Sequence, residues 1–351
     1  MDLRTELGSG PLDAALWLIG RDYGADEASA HQPFIGQAGF VLNAALKAAG
    51  LERIDIRIDN LVPVQPPTND FARHSPDTLA WGRERLNALL RTYKPKVIVG
   101  FGNEVCAHLV GDTWPSDGIQ ALRGYLWDTV YGRVLSAVHP AAILREWTPW
   151  NALLQFDLKR AKREVELGAP PLARRTVNIC TTPNDCDNLR GARYLSVDIE
   201  NTDDLQLACV GFAPNVDEAW VIPAREGWQL DAIRKLCESS TPKVLQNGQY
   251  DRFFLKRFAG IELRNQAFDT QLAWHSLNPE LAGKKTEVGY KKARSRRTAK
   301  SLKFLASIYT RDAYWKSYDF VSEDERYLLC GKDCCITLDI SLKQMAQLET
   351  R

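Results

Sequence analysis

Hydrophobic positions fall along this chain in two alternating rhythms. Short apolar runs, ALWLIG (15–20), RIDNLVPV (57–64), KVIVGFG (96–102) and RVLSAVHP (133–140), read as strands. Between them lie segments whose apolar positions recur every three to four residues. In AGFVLNAALKAAG (38–50), Val41, Leu42, Ala45, Leu46 and Ala49 share one face and Gly50 closes the helix. PDTLAWGRERLNALLRTY (76–93), NEVCAHLVG (103–111) and LLQFDLKRAKREVELG (153–168) continue the pattern, which predicts a parallel sheet sandwiched by helices. In such a sheet, functional loops lie at the carboxyl ends of the strands.

APPLARR (169–175) breaks the rhythm with prolines and arginines, which predicts a linker over 168–176 between domains 1–167 and 177–351. The pattern then restarts differently. RYLSVDIEN, LACVGFAP and EAWVIPA read as three consecutive strands, followed by helical stretches and the strand PKVLQNG, a mixed-sheet α/β arrangement. A length of 351 residues accommodates two such domains.

Composition narrows the picture in three respects. Forty-five basic against 44 acidic residues give a formal charge of +1, so attraction to a polyanion must come from local clustering. Eight cysteines show no C-x-x-C pair, which predicts reduced, mostly buried thiols. The first residues carry acids and glycines, and no run reaches the ~18 apolar residues of a membrane span. The expectation is a cytosolic protein of a bacterium or phage-infected host, with no membrane partner.

In the first half, four stretches each end a predicted strand: IGRDYG, PFIGQAG, NLVPVQPPTND and VHPAAILR. Chemistry on a nucleobase requires that it be rotated out of the duplex into a tight pocket that reads its pairing edge. In QPFIGQAGF, Phe34 supplies an aromatic face while Gly36 and Gly39 keep the wall thin, and the helix beginning near Ala38 aims its amides at an anion. Asn60 offers a donor and an acceptor in a fixed fork. His139, followed by Pro140, offers a preorganised polar group, and Ile143 and Leu144 offer apolar wedges for the gap left by a flipped nucleotide. Asp22 places a carboxylate at the end of the first predicted strand.

In order and spacing these stretches resemble the uracil-DNA glycosylase superfamily, most nearly its family-four members, over about the first 165 residues. The resemblance implies a three-layer α/β/α parallel-sheet fold and removal of uracil by hydrolysis of the N-glycosidic bond. It implies Asp22 and His139 as catalytic residues, with Phe34, Asn60 and Tyr23 around the uracil. Family four reads G-E-A-P-G where this chain has Gly20-Arg21-Asp22-Tyr23-Gly24, and Asp22 matches the water-directing aspartate of the family-one pattern G-Q-D-P-Y. The family-one tyrosine that excludes thymine's methyl falls at Gly24, which turns attention to Tyr23. Family-four enzymes hold an iron-sulfur cluster on four cysteines. Here none precedes Gly20, Val64 stands at another of the positions, and TLAWGRERL has none, so no iron-sulfur cluster is expected.

In the second half, Asp198 and Glu200 stand two apart on a predicted strand, so both side chains leave the same face. Paired carboxylates are costly unless a cation neutralises them. LQNGQYDRFFL adds Asn247 and Asp251, AFDTQLAW adds Asp269, read as structural, and CGKDCCIT adds Asp333. These stretches resemble the proofreading 3′-5′ exonuclease domain of A-family DNA polymerases, within the DEDD nuclease superfamily, across roughly residues 176–345. The resemblance implies a ribonuclease H-like mixed sheet in which Asp198, Glu200, Asp251 and Asp333 hold two Mg2+ or Mn2+ ions. The usual tyrosine falls at Leu329, and the histidine of the other subclass at Leu328. Tyr327, six residues before Asp333, substitutes only on a locally distorted helix.

GKKTEVGYKKARSRRTAKSLK carries nine Lys or Arg from Lys284 to Lys303 against one acid. With Asn247, its Lys291, Lys292, Arg294, Arg296 and Arg297 are expected to contact DNA, single-stranded or frayed. The combined reading is a DNA repair and replication enzyme with uracil-DNA glycosylase and 3′-5′ exonuclease modules, working with a polymerase on the same or another chain. Its rival is an accessory DNA clamp in which one or both sites are inactive.

Overall fold

The computed structural model describes residues 4–145, 147–225, 227–282, 300–315 and 322–350. The basic positions Lys291, Lys292, Arg294, Arg296 and Arg297 lie outside the described residues. The chain divides into two units, 1–172 and 173–351.

The first unit is built on five strands: β1 (Leu16–Asp22), β2 (Arg57–Val62), β3 (Val97–Phe101), β4 (Leu126–Thr129) and β5 (Gly132–Ala137). Their order is β2-β1-β3-β5-β4. The first four in that order run parallel, and β4 pairs antiparallel with β5. The sequence pattern missed β4, because LWDT is too short for an alternation to register.

Leu16, Leu18, Ile58, Val97 and Val99 face Val41, Leu42, Ala45 and Leu46 of the Gln37–Ala49 helix and Leu154, Leu158 and Ala161 of the Trp147–Glu166 helix. Trp17, Ile19 and Ile98 point to the opposite face and are fully buried as well. A sheet covered on both faces reads as continuous apolar runs, which is why ALWLIG shows no alternation. This is the three-layer α/β/α arrangement. The strands of such a sheet all end on one edge, so Asp22, Asn60 at the fourth residue of β2, and His139 just after β5 are carried toward the same place.

The second unit has six strands: β6 (Thr176–Ile179), β7 (Leu195–Asn201), β8 (Leu207–Ala213), β9 (Glu218–Pro223), β10 (Lys243–Leu245) and β11 (Gln266–Asp269), in the order β11-β10-β7-β8-β9-β6. β7, β8 and β9 form an antiparallel meander, while β10 and β11 run parallel beside β7. That is the ribonuclease H-like order, with β6 added parallel to β9. Val197 and Ile199 face the core beneath the Trp228–Glu238 and Gly248–Phe254 helices. The alternate residues of β7 face the long Glu323–Glu349 helix. This helix lies close on the sheet because Gly211 leaves room: a Cβ there would stand 2.8 Å from Cys334 Sγ and 2.9 Å from Cys330 Sγ.

Arg175, within the stretch expected to be a linker, anchors the second unit. Its side chain is 3% exposed and donates to Asp312 and Asp339 at 2.7 Å. Two carboxylates from distant helical and loop positions compensate the buried guanidinium, so the residue belongs to a core rather than a hinge. All eight cysteines are free thiols, seven of them buried. Among the described residues no helix is long and apolar enough to cross a membrane.

Candidate active sites

Asp22, Tyr23, Phe34, Asn60 and His139 line one cavity of about 610 Å3 at the carboxyl edge of the first sheet, with Arg21, Glu104 and Arg145 around them. The glycines of the 20–40 stretch make this possible by close approach. A Cβ on Gly20 would stand 2.6 Å from the Phe34 ring, and one on Gly39 would stand 2.0 Å from the Phe34 carbonyl oxygen. Phe34 itself adopts φ 52°, uncommon for a bulky residue. That conformation is clamped by Arg53, which donates to the carbonyls of Pro33 at 2.7 Å and Phe34 at 3.1 Å. Glu27 fastens two of the loops, accepting from the amides of Gly24 and Gly36. Gly39→Ala is therefore expected to cost about 1–3 kcal/mol by overpacking against backbone, read as a lowered thermal midpoint.

Each polar group arrives with a defined role. Asn60 Nδ2 donates to the Asp22 backbone carbonyl at 2.8 Å, which fixes the amide orientation because a carbonyl can only accept. Its Oδ1 is buried and without a hydrogen-bond partner. Behind it, Asp59 accepts from Arg85 at 2.6 Å, from Arg57 at 3.1 Å and from the Asn60 amide at 2.8 Å, all within a buried network. His139 stacks on Phe34, with ring centroids 5.4 Å apart. Its Nδ1 accepts from the Ala141 amide at 3.1 Å, so the neutral ring carries its proton on Nε2. Burial, reinforced by Arg21 and Arg145, pushes the imidazole down to about 4. It is a neutral donor at any pH near 7.

Asp22 Oδ1 accepts from Arg21 Nε at 3.1 Å, while Oδ2 is buried without a partner. Burial raises the carboxyl above its ordinary range, and Arg21 and His74 pull partly the other way. His74 was not singled out by the sequence. It sits in FARHSP, between the short Phe71–Arg73 turn and the long Pro76–Tyr93 helix, and only the fold brings its Nε2 to 3.9 Å from Asp22 Oδ2.

Two expectations in this unit are corrected. Ile143 is fully buried in the core and cannot enter a base stack, whereas Leu144 beside it is 44% exposed. On the Pro140–Arg145 helix, neighbours lie about 100° apart around the axis, so one turned inward and the other outward. Tyr23 reaches the cavity wall, but its hydroxyl donates to the Leu7 carbonyl and its side chain packs inside the unit. Tyr23 is held there as a wall residue.

In the second unit, Asp198, Glu200 and Asp333 each place a carboxylate oxygen within 4.8 Å of the others. The pairing arises because Asp198 and Glu200 leave the face of β7 on which the Glu323–Glu349 helix lies. Trp315 Nε1 donates to Asp333 Oδ1 at 2.7 Å. Asp251 does not join this group of three. It is buried at the start of its helix, accepts from the Ile199 amide, and burial pushes it up to about 7, with Asp269 and Glu200 adding to the rise. Asp269 accepts from the amides of Asn247, Gly248, Gln271 and Leu272, so it is the structural acid that the sequence suggested. Asn247 is exposed in a left-handed turn at φ 59°. Tyr327, expected to stand in for the usual tyrosine only on a locally distorted helix, packs with Cys209, Val221 and Cys330 on the Glu323–Glu349 helix. Leu328 is 49% exposed.

The strand ends and loops of the first sheet bring an amide fork, an aromatic face, a neutral imidazole and a carboxylate to one cavity. Residues 7–162 match the family model of the uracil DNA glycosylase superfamily. A type-4 uracil-DNA glycosylase of Thermotoga maritima is 31% identical over 158 residues, 44% of this chain and 80% of that protein. One from Saccharolobus solfataricus is 29% identical, covering 44% and 73%. The chain belongs to the uracil-DNA glycosylase superfamily through this first unit.

Among solved structures, Escherichia coli RNase D, an exoribonuclease involved in structured RNA processing, matches with a TM-score of 0.34 at 16% identity, over 50% of this chain and 46% of that one. The POL domain of Pol1 from M. smegmatis gives 0.36 at 14%, over 50% and 28%. Brucella melitensis NrnC bound to pGG gives 0.35 at 17%, over 52% and 82%. The chain thus spans about half of the RNase D structure and less of Pol1.

Proposed function

We propose that the first unit releases uracil from DNA by hydrolysis of the N-glycosidic bond. The observation that carries this reading is that Asp22, Asn60 and His139, from three strand ends, meet around the Phe34 ring in one cavity. A flipped uracil stacks on Phe34, presents N3–H to the open Oδ1 of Asn60, and places O4 near Nδ2. Cytosine offers an acceptor at N3 and a donor at N4, so the fixed fork opposes it. As the bond breaks, negative charge grows on the leaving base, and the Nε2–H of His139 is positioned to donate to O2 without transferring its proton. Asp22 stabilises the sugar cation and directs water to it. Leu144, exposed beside Arg145, fills the gap in the stack.

The second unit is read as a metal-dependent 3′-5′ exonuclease. Three carboxylates this close on a strand and a helix offer an all-oxygen donor set that suits Mg2+ or Mn2+. When bound, a pair of divalent ions activates water and stabilises the leaving 3′ oxygen. Asp198, Glu200 and Asp333 would hold the metal, with Asp251 completing the set once it loses its proton. Asn247 and the basic stretch with Lys291, Lys292, Arg294, Arg296 and Arg297 belong to the DNA path of this reading, as does a polymerase on the same or another chain. The reduced thiols fit a cytosolic setting. The clamp reading, in which this unit grips a 3′ end without cutting, is favoured by one observation: Leu328 and Leu329 replace the water-orienting residue, and Tyr327 is packed into the core.

End-labelled single-stranded DNA with and without one uracil separates these readings. An alkali-labile break at uracil that persists in EDTA is expected for the glycosylase. A Mg2+-dependent ladder is expected for the nuclease, and intact but retarded DNA supports the clamp. Mn2+ affinity is expected to strengthen as pH rises through about 7, because the ion must displace the Asp251 proton. Titrations by electron paramagnetic resonance at pH 6 and pH 8 check this, and Asp251→Asn is expected to flatten the difference.

A further inference from the structure

The wall behind Asp22 contains two buried polar atoms that face each other without partners. Asp22 Oδ2 and His74 Nε2 stand 3.9 Å apart, and neither has another hydrogen bond. The separation is too long for a direct bond and is closed by a shift of about 1 Å. Leaving both atoms unsatisfied costs free energy on each side, so the arrangement is not one that packing alone would select.

His74 is firmly held. Its side chain is 2% exposed, its backbone amide donates to the Phe71 carbonyl, and Ser75 immediately after it caps the Pro76–Tyr93 helix. The Phe71 ring stands edge-on to the imidazole, with centroids 5.4 Å apart, and the Arg21 guanidinium lies 5.1 Å from that same ring. Asp22 lies at the end of β1 and is tied to Arg21 through Oδ1.

We propose that His74 is a positioning residue for Asp22: when the flipped nucleotide closes the cavity, Nε2–H donates to Oδ2, orienting the carboxylate and keeping it ionised. This rests on the reading of Asp22 as the catalytic carboxylate. Hydrogen bonds in catalytic sites tighten in the substrate complex, so the open distance is compatible with the role. Burial lowers the His74 imidazole, with Asp22 opposing that shift, so near pH 7 the ring is a neutral donor and adds no fixed charge. The charged groups facing Asp22 are Arg21 from the same strand and Glu104 from the Asn103–Val110 helix. They act in opposite directions, Arg21 lowering and Glu104 raising the carboxyl, and both remain in any His74 variant.

The sign of the effect follows. A donor to the ionised carboxylate favours the charged form, so its loss raises the Asp22 carboxyl and moves the acid limb of the rate to higher pH. His74→Phe is expected to slow single-turnover uracil release about tenfold at pH 6, and to move the acid limb upward by about one pH unit. His74→Gln, whose amide nitrogen can occupy the place of Nε2, is expected to restore both. A purely structural role predicts a uniform loss with an unmoved pH profile, and that result overturns the proposal, as does an unshifted limb in a folded His74→Gln variant with the full loss of His74→Phe. If His74→Phe does not fold, as judged by circular dichroism, His74→Ala and His74→Leu give the same comparison. Asp22→Asn, run in parallel, tells the two ideas apart: unimpaired release there removes the underlying reading, whereas loss there with an unmoved His74 profile removes only the dyad.

Discussion

Exchange of Asp22 for asparagine is expected to slow uracil release by about 10²–10⁴-fold while leaving any Mg2+-dependent trimming of 3′ ends unchanged. The substitution keeps shape and removes charge. Asp22 Oδ1 loses a charge-assisted contact with Arg21, and the cavity loses the negative charge that stabilises a positive sugar. Phe34, Asn60 and His139 stay in place, so binding of uracil-containing DNA is expected to persist while turnover falls. The pH profile of the unsubstituted protein carries the same information. Burial raises the Asp22 carboxyl above 3.8, so the ionised fraction, and with it the rate, falls as pH drops through that raised value. His139, already neutral above about 4, contributes no limb near neutrality. Single-turnover rates between pH 4 and 8 test both statements, and a rate unaffected by Asp22→Asn would falsify the assignment.

The second large effect is on stability and base reading together. Arg85→Met is expected to cost about 3–5 kcal/mol, because it removes one partner of a fully buried ion pair and leaves Asp59 with a buried charge compensated by Arg57 alone. Asp59 Oδ1 also accepts from the Asn60 amide, and Arg85 Nη1 reaches the Asn60 carbonyl at 3.4 Å. The network therefore holds the backbone from which the amide fork projects. A drop of about 10 °C in the midpoint of the first unit is expected. Below that midpoint, uracil release should fall more steeply than binding of undamaged DNA. Calorimetry together with excision rates measures both, and a wild-type midpoint in the variant would remove the network from the account of stability.

The two units differ in how their sites become rigid. In the first, strained backbone at Phe34, the Arg53 clamp and the Glu27 bridge fix loops that would otherwise move. In the second, the acids stand on a strand and on a helix pressed to the sheet through Gly211, and scaffold packing sets their spacing. A pocket for a flat ring needs walls on several sides, whereas a cation needs only a few oxygens at the right distances.

The family resemblance implied that Asp22, Phe34, Asn60 and His139 meet; the sequence by itself determined the alternation of strands and helices, the two modules, and the shared face of Asp198 and Glu200. These follow from local rules: period, strand parity, and the fact that parallel strands end on one edge. Tertiary structure alone decided which of two adjacent wedge residues turned inward, since a six-residue helix at a loop end has no period long enough to read. It also decided that Arg175 anchors a core, that Asp251 is buried with its carboxyl raised beside Asp269 and Glu200, and that His74 stands behind Asp22. Each of these depends on what a side chain meets across dozens of residues of separation, and the free energy of burying a charge is set by that partner rather than by its neighbours along the chain.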